Sequence, residues 1–158
     1  MIDVGDPQLV ARFQSAANAS THSTYSLIPV FINCFNRVDG LRQLVDWLLR
    51  AGQRRIILLD NQSSYPPLLK YYEDLAGERR ITVVRLNGNL GHVALWASGL
   101  LGQLEWSNPF VCTDPDIVPD NACPGDFLKY FEAILDKNPW AMKVGFGLRI
   151  DDIPDSIS

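Results

Sequence analysis

Long apolar runs are missing from this sequence, and none approaches the roughly 18 residues needed to cross a bilayer. The N-terminus has no basic-then-apolar pattern, so a cytoplasmic protein without a transmembrane segment is expected. An excess of basic charge is missing too. Fourteen Lys and Arg against 18 Asp and Glu leave a net charge of −4, which argues against a nucleic-acid partner. Cysteine is scarce: Cys34, Cys112 and Cys123 are odd in number and widely spaced. That suits reduced thiols better than a disulfide framework or a zinc site. Neither a Walker loop nor a G-x-G-x-x-G fingerprint occurs, which removes the commonest phosphate-binding signatures.

What remains is an ordinary globular composition, 47% hydrophobic and 20% charged over 158 residues. The length fits one domain with a substantial core. Residues 7–17 predict a short helix with Leu9, Val10 and Phe13 on one side, followed by a Ser/Thr/Asn-rich loop to residue 26. This arm, residues 1–26, is expected either to pack on the domain or to be partly disordered. From residue 27 the pattern turns regular. Apolar runs at 27–34, 55–59, 80–86 and 110–113 read as buried strands, and 141–150 reads as a fifth. Between them lie helical stripes, for example Val38, Leu41, Leu44, Val45, Leu48 and Leu49, with Asn36 as the expected N-cap. The helix after the third strand is expected to run unbroken through Val93, Trp96, Ala97, Leu100, Leu101 and Leu104. A further helix is expected from about Pro124. The four tryptophans, Trp47, Trp96, Trp106 and Trp140, are expected mostly in the core. Strand and helix alternating at this spacing imply βαβ units and an α/β fold with a mostly parallel sheet.

Polar residues gather just after each strand, and these exits share one edge of a parallel sheet, where ligands bind in open α/β folds. The stretch that organises the rest is residues 110–119, an apolar run ending in Asp114-Pro115-Asp116. Two carboxylates alternating on an extended backbone, held by a proline, form a hard oxygen site for Mg²⁺ or Mn²⁺. A turn with solvated acids is the competing reading. Asp60, after the second strand, could bind a ligand or make an Asx turn or helix cap. Asn87 and the glycines after it could admit a ligand close to the backbone ahead of a helix, or make a tight turn with positive φ. His92 is either a phosphate donor or a structural residue. Lys143 and Arg149 alternate with apolar residues in the last run and could face solvent.

Four segments in order, residues 29–37, 59–64, 87–91 and 114–116, resemble the nucleotide-binding half of a GT-A-fold, family 2 nucleotide-sugar glycosyltransferase. The likeness spans residues 27–150 and implies a Rossmann-like GT-A sheet with helices on both faces, with 151–158 left as a tail. It implies a UDP-sugar donor, Mn²⁺ or Mg²⁺ as cofactor, and inversion at the anomeric carbon. By the same resemblance Asn36, Arg37, Asp60, Asn87 and Asp114 contact the nucleotide, while Asp114 and Asp116 hold the metal. Donor sugar and acceptor, whether sugar, lipid or protein, are not indicated. The general base has no clear place. Asp151 and Asp152, on the last strand's exit, are the first candidates, so the chain is expected to be a truncated form or to need a partner chain for turnover. A nucleotidyltransferase and a non-catalytic nucleotide-binding or assembly domain remain the alternatives.

Overall fold

The computed structural model describes residues 1–3, 6–15 and 24–147. Its sheet is built from five parallel strands: β1 (Ile2–Asp3), β2 (Val30–Cys34), β3 (Ile56–Asp60), β4 (Ile81–Arg85) and β5 (Val111–Thr113). Their order across the sheet is β1-β4-β3-β2-β5. The four strands after β1 thus run outward from β2 to β4 on one side and step to β5 on the other. That reversal between β2 and β5 is the switch point of a doubly wound, Rossmann-like sheet.

Both faces are covered, which is why the strands read as continuous apolar runs rather than alternating ones. On one face Ile2, Phe31, Ile57, Leu59 and Val84 pack with Leu9 and Phe13 of α1 (Pro7–Ser15). Ala94 and Leu95 of α4 (Ala94–Ala97), and Leu100 of α5 (Leu100–Gln103), complete that layer. The opposite face carries Val30, Ile32, Ile56 and Leu58, each at most 1% exposed. It belongs to α2 (Asp39–Arg50), which buries Leu41, Leu44, Val45 and Leu48, and to α3 (Pro66–Asp74), which buries Leu68, Tyr71 and Tyr72. Arg42 of α2 lies over the Tyr71 ring at 4.9 Å, so these two helices are neighbours.

The N-terminal arm has work in the fold. Ile2 and Asp3 pair with Val84 and Arg85, extending the sheet by one edge strand. Phe13 then sits over buried Arg55, whose guanidinium lies 4.8 Å from that ring and 5.5 Å from the Trp106 ring. Arg55 Nη2 donates to the Phe13 carbonyl at 2.8 Å, and burial lowers its pKa. Aromatic faces and carbonyls thus take the place of a carboxylate for this cation.

Several expectations give way here. The helix after β4 is broken: a 3₁₀ turn (Gly91–Val93) leads into α4, and Gly99, at φ 71°, separates α4 from α5. Only glycine takes that left-handed conformation without cost. With the break the expected stripe shifts: Val93, Trp96 and Ala97 are exposed, while Ala94 and Leu95 face the core with Leu100 and Leu104. The fifth predicted strand does not form over 141–147, and 148–150 lie outside the described residues. Met142 is 99% exposed there, and Gly145 and Gly147 disfavour an extended run. Trp96 and Trp140 are exposed, at 56% and 79%, rather than core. The chain forms two compact units, Met1–Gly125 and Asp126–Ser158. In the second, α6 (Phe127–Lys137) starts three residues after Pro124, and Phe127, Phe131 and Phe146 cluster at 4.7–5.7 Å.

At the entry to β4, Arg80 grips Glu78 through its guanidinium and backbone N–H, which pushes the Glu78 carboxyl down to about 2. The folded value lies below the unfolded one, so the stabilisation is complete above about pH 4.3 and is lost as pH falls toward 2. Both side chains are partly exposed, 29% and 39%, which limits the pair to about 0.2–1 kcal/mol. Glu78→Gln should lower stability by that amount at pH 7 in urea titrations, and its difference from wild type should shrink between pH 4 and pH 2.

Candidate functional site

Cys34, Asp60 and Arg85 are in register as the last residues of β2, β3 and β4, so three strand exits lie side by side. Asp60 is fully buried, and its hydrogen-bond partners come from the following turn, α3 and β4. Ser63 N–H donates to both of its oxygens at 3.2 and 3.3 Å, Tyr72 Oη donates to Oδ1 at 3.3 Å, and Arg85 Nη1 to Oδ2 at 2.8 Å. Burial, and then the neighbouring Cys34 and Asp60, push the Tyr72 hydroxyl far up, so it stays protonated and acts as a donor. The Cys34 thiol is likewise raised, chiefly by burial, and stays a thiol. Asp60 therefore closes the turn to Ser63, three residues on, and anchors α3 and β4. Its carboxylate has no face open to a nucleoside.

Asn36 is also committed elsewhere than expected. It does not cap α2, where Val38 holds the N-cap position without a side-chain bond. Instead it adopts φ 49°, its N–H donates to Ser63 Oγ at 3.1 Å, and its Oδ1 accepts from Ser64 and Tyr65 N–H at 2.8 and 3.0 Å. A short amide side chain tolerates this backbone, and here it ties the β2 exit to the start of α3. Asn61 does the same toward β4. Its Nδ2 donates to Asn33 Oδ1, and its Oδ1 accepts from Leu90 N–H at 2.9 Å. Asn33 Nδ2 in turn donates to the Gly91 carbonyl at 3.1 Å.

The segment after β4 makes a turn of its own. Asn89 Oδ1 accepts from Gly91 N–H at 3.0 Å, and Gly91 has φ 61°. That accounts for one glycine by backbone conformation. Asn87 is exposed and lines a cavity of about 260 Å³ with Gly88, Leu90, Ala97 and Ser98. The following helix is only four residues long, too short for an appreciable dipole, so the expected anion site at its start loses its physical basis. His92 is exposed beside it.

The remaining candidates meet across the switch point. Asp114 and Asp116 leave β5 on a turn, both exposed, and Arg37 leaves β2 opposite them. Arg37 Nη1 donates to Asp116 Oδ2 at 3.3 Å, with side chains 74% and 56% exposed. The turn rests on the first turn of the 12-residue α2 because residue 40 is glycine. A Cβ there would stand 3.0 Å from Pro115 O and 3.1 Å from Asp116 Cα, both backbone atoms. Beside it, Asn36, Arg37, Val38, Asp39, Gly40 and Tyr65 line a cavity of about 270 Å³.

This donor set can be tested against a divalent cation. Among the described residues no group of three or more His, Cys, Asp or Glu could hold a metal, so no closed protein cage exists. Two exposed carboxylates do suit Mg²⁺ or Mn²⁺, which keep water and take phosphate oxygens as further ligands. The match is one of donor chemistry. The acids stand exposed on a turn, with Ile117 N–H donating to the Asp114 carbonyl at 3.4 Å, and not on the extended backbone expected. A turn is the geometry of the competing reading. Asp151 and Asp152 lie outside the described residues. Arg85, Gly40 and the Asn33–Asn61 pair were not singled out from the sequence. A charge ending an otherwise apolar strand was the only signal for Arg85, and none marked Gly40. No protein-family model and no curated protein matches the chain.

Two substitutions separate these roles. Asp60→Asn should destabilise the protein by about 3 kcal/mol, the low end for a buried pair because Arg85 is one-third exposed, as read by urea denaturation. Gly40→Ala should cost up to about 2 kcal/mol, overpacking against the turn exceeding the gain in helix propensity. Gly102→Ala, in open space on α5, is the control and should be neutral or stabilising in the same assay.

Proposed function

We propose that this chain acts as a metal-dependent, inverting glycosyltransferase that binds a UDP-sugar as its donor. The observation that carries the reading is the acidic turn Asp114-Pro115-Asp116 at the exit of β5, facing Arg37 across the switch point of the sheet. Open α/β folds bind ligands in that crevice. Asp114 and Asp116 would hold the cation, and Arg37 and Tyr65, on the adjoining cavity, offer a guanidinium and an exposed aromatic ring to a nucleotide. A divalent cation bound at the turn supplies Lewis-acid neutralisation of the charge on a departing diphosphate. In the transfer, an acceptor hydroxyl attacks the anomeric carbon as the nucleoside diphosphate leaves, and a base removes the hydroxyl proton. Asp151 and Asp152 remain the first candidates for that base.

A second reading, a nucleotide-binding module without turnover, is favoured by Asp60 and Asn36. Both are spent on joining the strand exits, which leaves fewer polar groups for a donor than the family resemblance implies.

A thermal-shift panel of UDP, GDP and ADP with and without Mn²⁺ tests the reading. UDP at 100 times Kd should stabilise the fold by about 2.7 kcal/mol, only when Mn²⁺ is present. Asp116→Asn should remove that shift while keeping the wild-type unfolding temperature in its absence. Undiminished Mn²⁺-dependent binding by Asp116→Asn would remove the metal assignment. Donor consumption over a panel of acceptors then decides between transferase and module.

A further inference from the structure

Among the described residues Arg37 makes one ion pair, and its geometry is that of a weak contact. The single Nη1–Oδ2 distance of 3.3 Å is longer than the 2.7–2.9 Å usual for a charge-assisted bond, and the pair is not bidentate. Both side chains are mostly exposed, 74% and 56%, so water competes for each partner. The guanidinium carries five N–H donors and uses one here, while its own residue lines the cavity beside Tyr65. Asp116 also lies against the first turn of α2, where Gly40 leaves room for its backbone.

A guanidinium and a divalent cation oppose each other at one carboxylate, because two positive charges held a few ångström apart repel. We propose that Arg37 is an exchange residue: it pairs with Asp116 until a divalent cation takes that carboxylate, and it then turns its donors to the phosphates of a nucleoside diphosphate. This inference rests on the proposed donor site and adds an order to it. Metal binding releases the group that recognises the nucleotide, so metal and nucleotide bind with positive coupling. Such coupling is reciprocal, so nucleotide must raise metal affinity by the same factor.

The exchange makes Arg37 act with opposite signs on its two ligands. Arg37→Ala should bind Mn²⁺ alone about threefold more tightly, having lost an exposed competing cation. In saturating Mn²⁺ the same variant should bind UDP about tenfold or more weakly, the loss expected from a charge-assisted hydrogen bond to phosphate. Mn²⁺ affinity is read by electron paramagnetic resonance of the free ion, and UDP affinity by calorimetry. Neither readout needs turnover, and an exposed side chain is not required for folding. If Arg37→Ala weakens Mn²⁺ binding, or leaves both affinities unchanged while wild type binds both ligands, the exchange is wrong and the donor site stands. If wild type binds neither Mn²⁺ nor UDP, the proposed function falls and the exchange with it.

Discussion

A buried carboxylate holds the strand exits of this fold together. Asp60 ends the strand between β2 and β4, with no exposed surface. Left alone there, an ionised carboxylate would be prohibitively expensive, so its neighbours must satisfy it. They come from three places: the turn at Ser63, Tyr72 on α3 and Arg85 on β4. Each is thereby given a fixed position relative to the others. The Arg85 side chain continues to the Ser63 carbonyl at 3.3 Å, so the loop after β3 is held at both ends.

Around that anchor, amide side chains replace what a sheet no longer supplies. Once the strands end, ladder hydrogen bonds stop and the exits are free to diverge. Asn36 bridges the first to the second, Asn61 the second to the third, and Asn33 the first to the third. Asn61 is 1% exposed and contributes both donor and acceptor. Satisfied polar networks of this kind rigidify, whereas a half-satisfied one would be worse than apolar packing. The result is an ordered floor from which few polar groups point outward.

The other side of the cleft is built differently. Asp114 and Asp116 stand exposed on a turn that is seated by shape, because α2 presents a glycine to backbone atoms of that turn. Rigid floor and lightly held acids are complementary: one edge is closed by internal bonds, and the other keeps free valences. At that second edge the Arg37–Asp116 pair remains open to solvent.

The sequence by itself determined the architecture. Buried parallel strands must be apolar on both faces and helices must carry a stripe, and both patterns are local. So β2, β3, β4 and α2 were legible to within a few residues, whereas the two-residue edge strand β1 carries no such pattern. The position of the acids at the β5 exit was legible too, since the end of an apolar run marks where the strand stops. Only tertiary structure decided what each polar residue is for. Asp60 and Asp116 look alike in sequence, each an acid at a strand exit. One is surrounded by donors from segments up to 25 residues away, and the other meets an arginine 79 residues distant. Register across strands and the approach of a turn to Gly40 set those meetings. Neither is written in any local pattern, because both depend on which strands become neighbours once the sheet has formed.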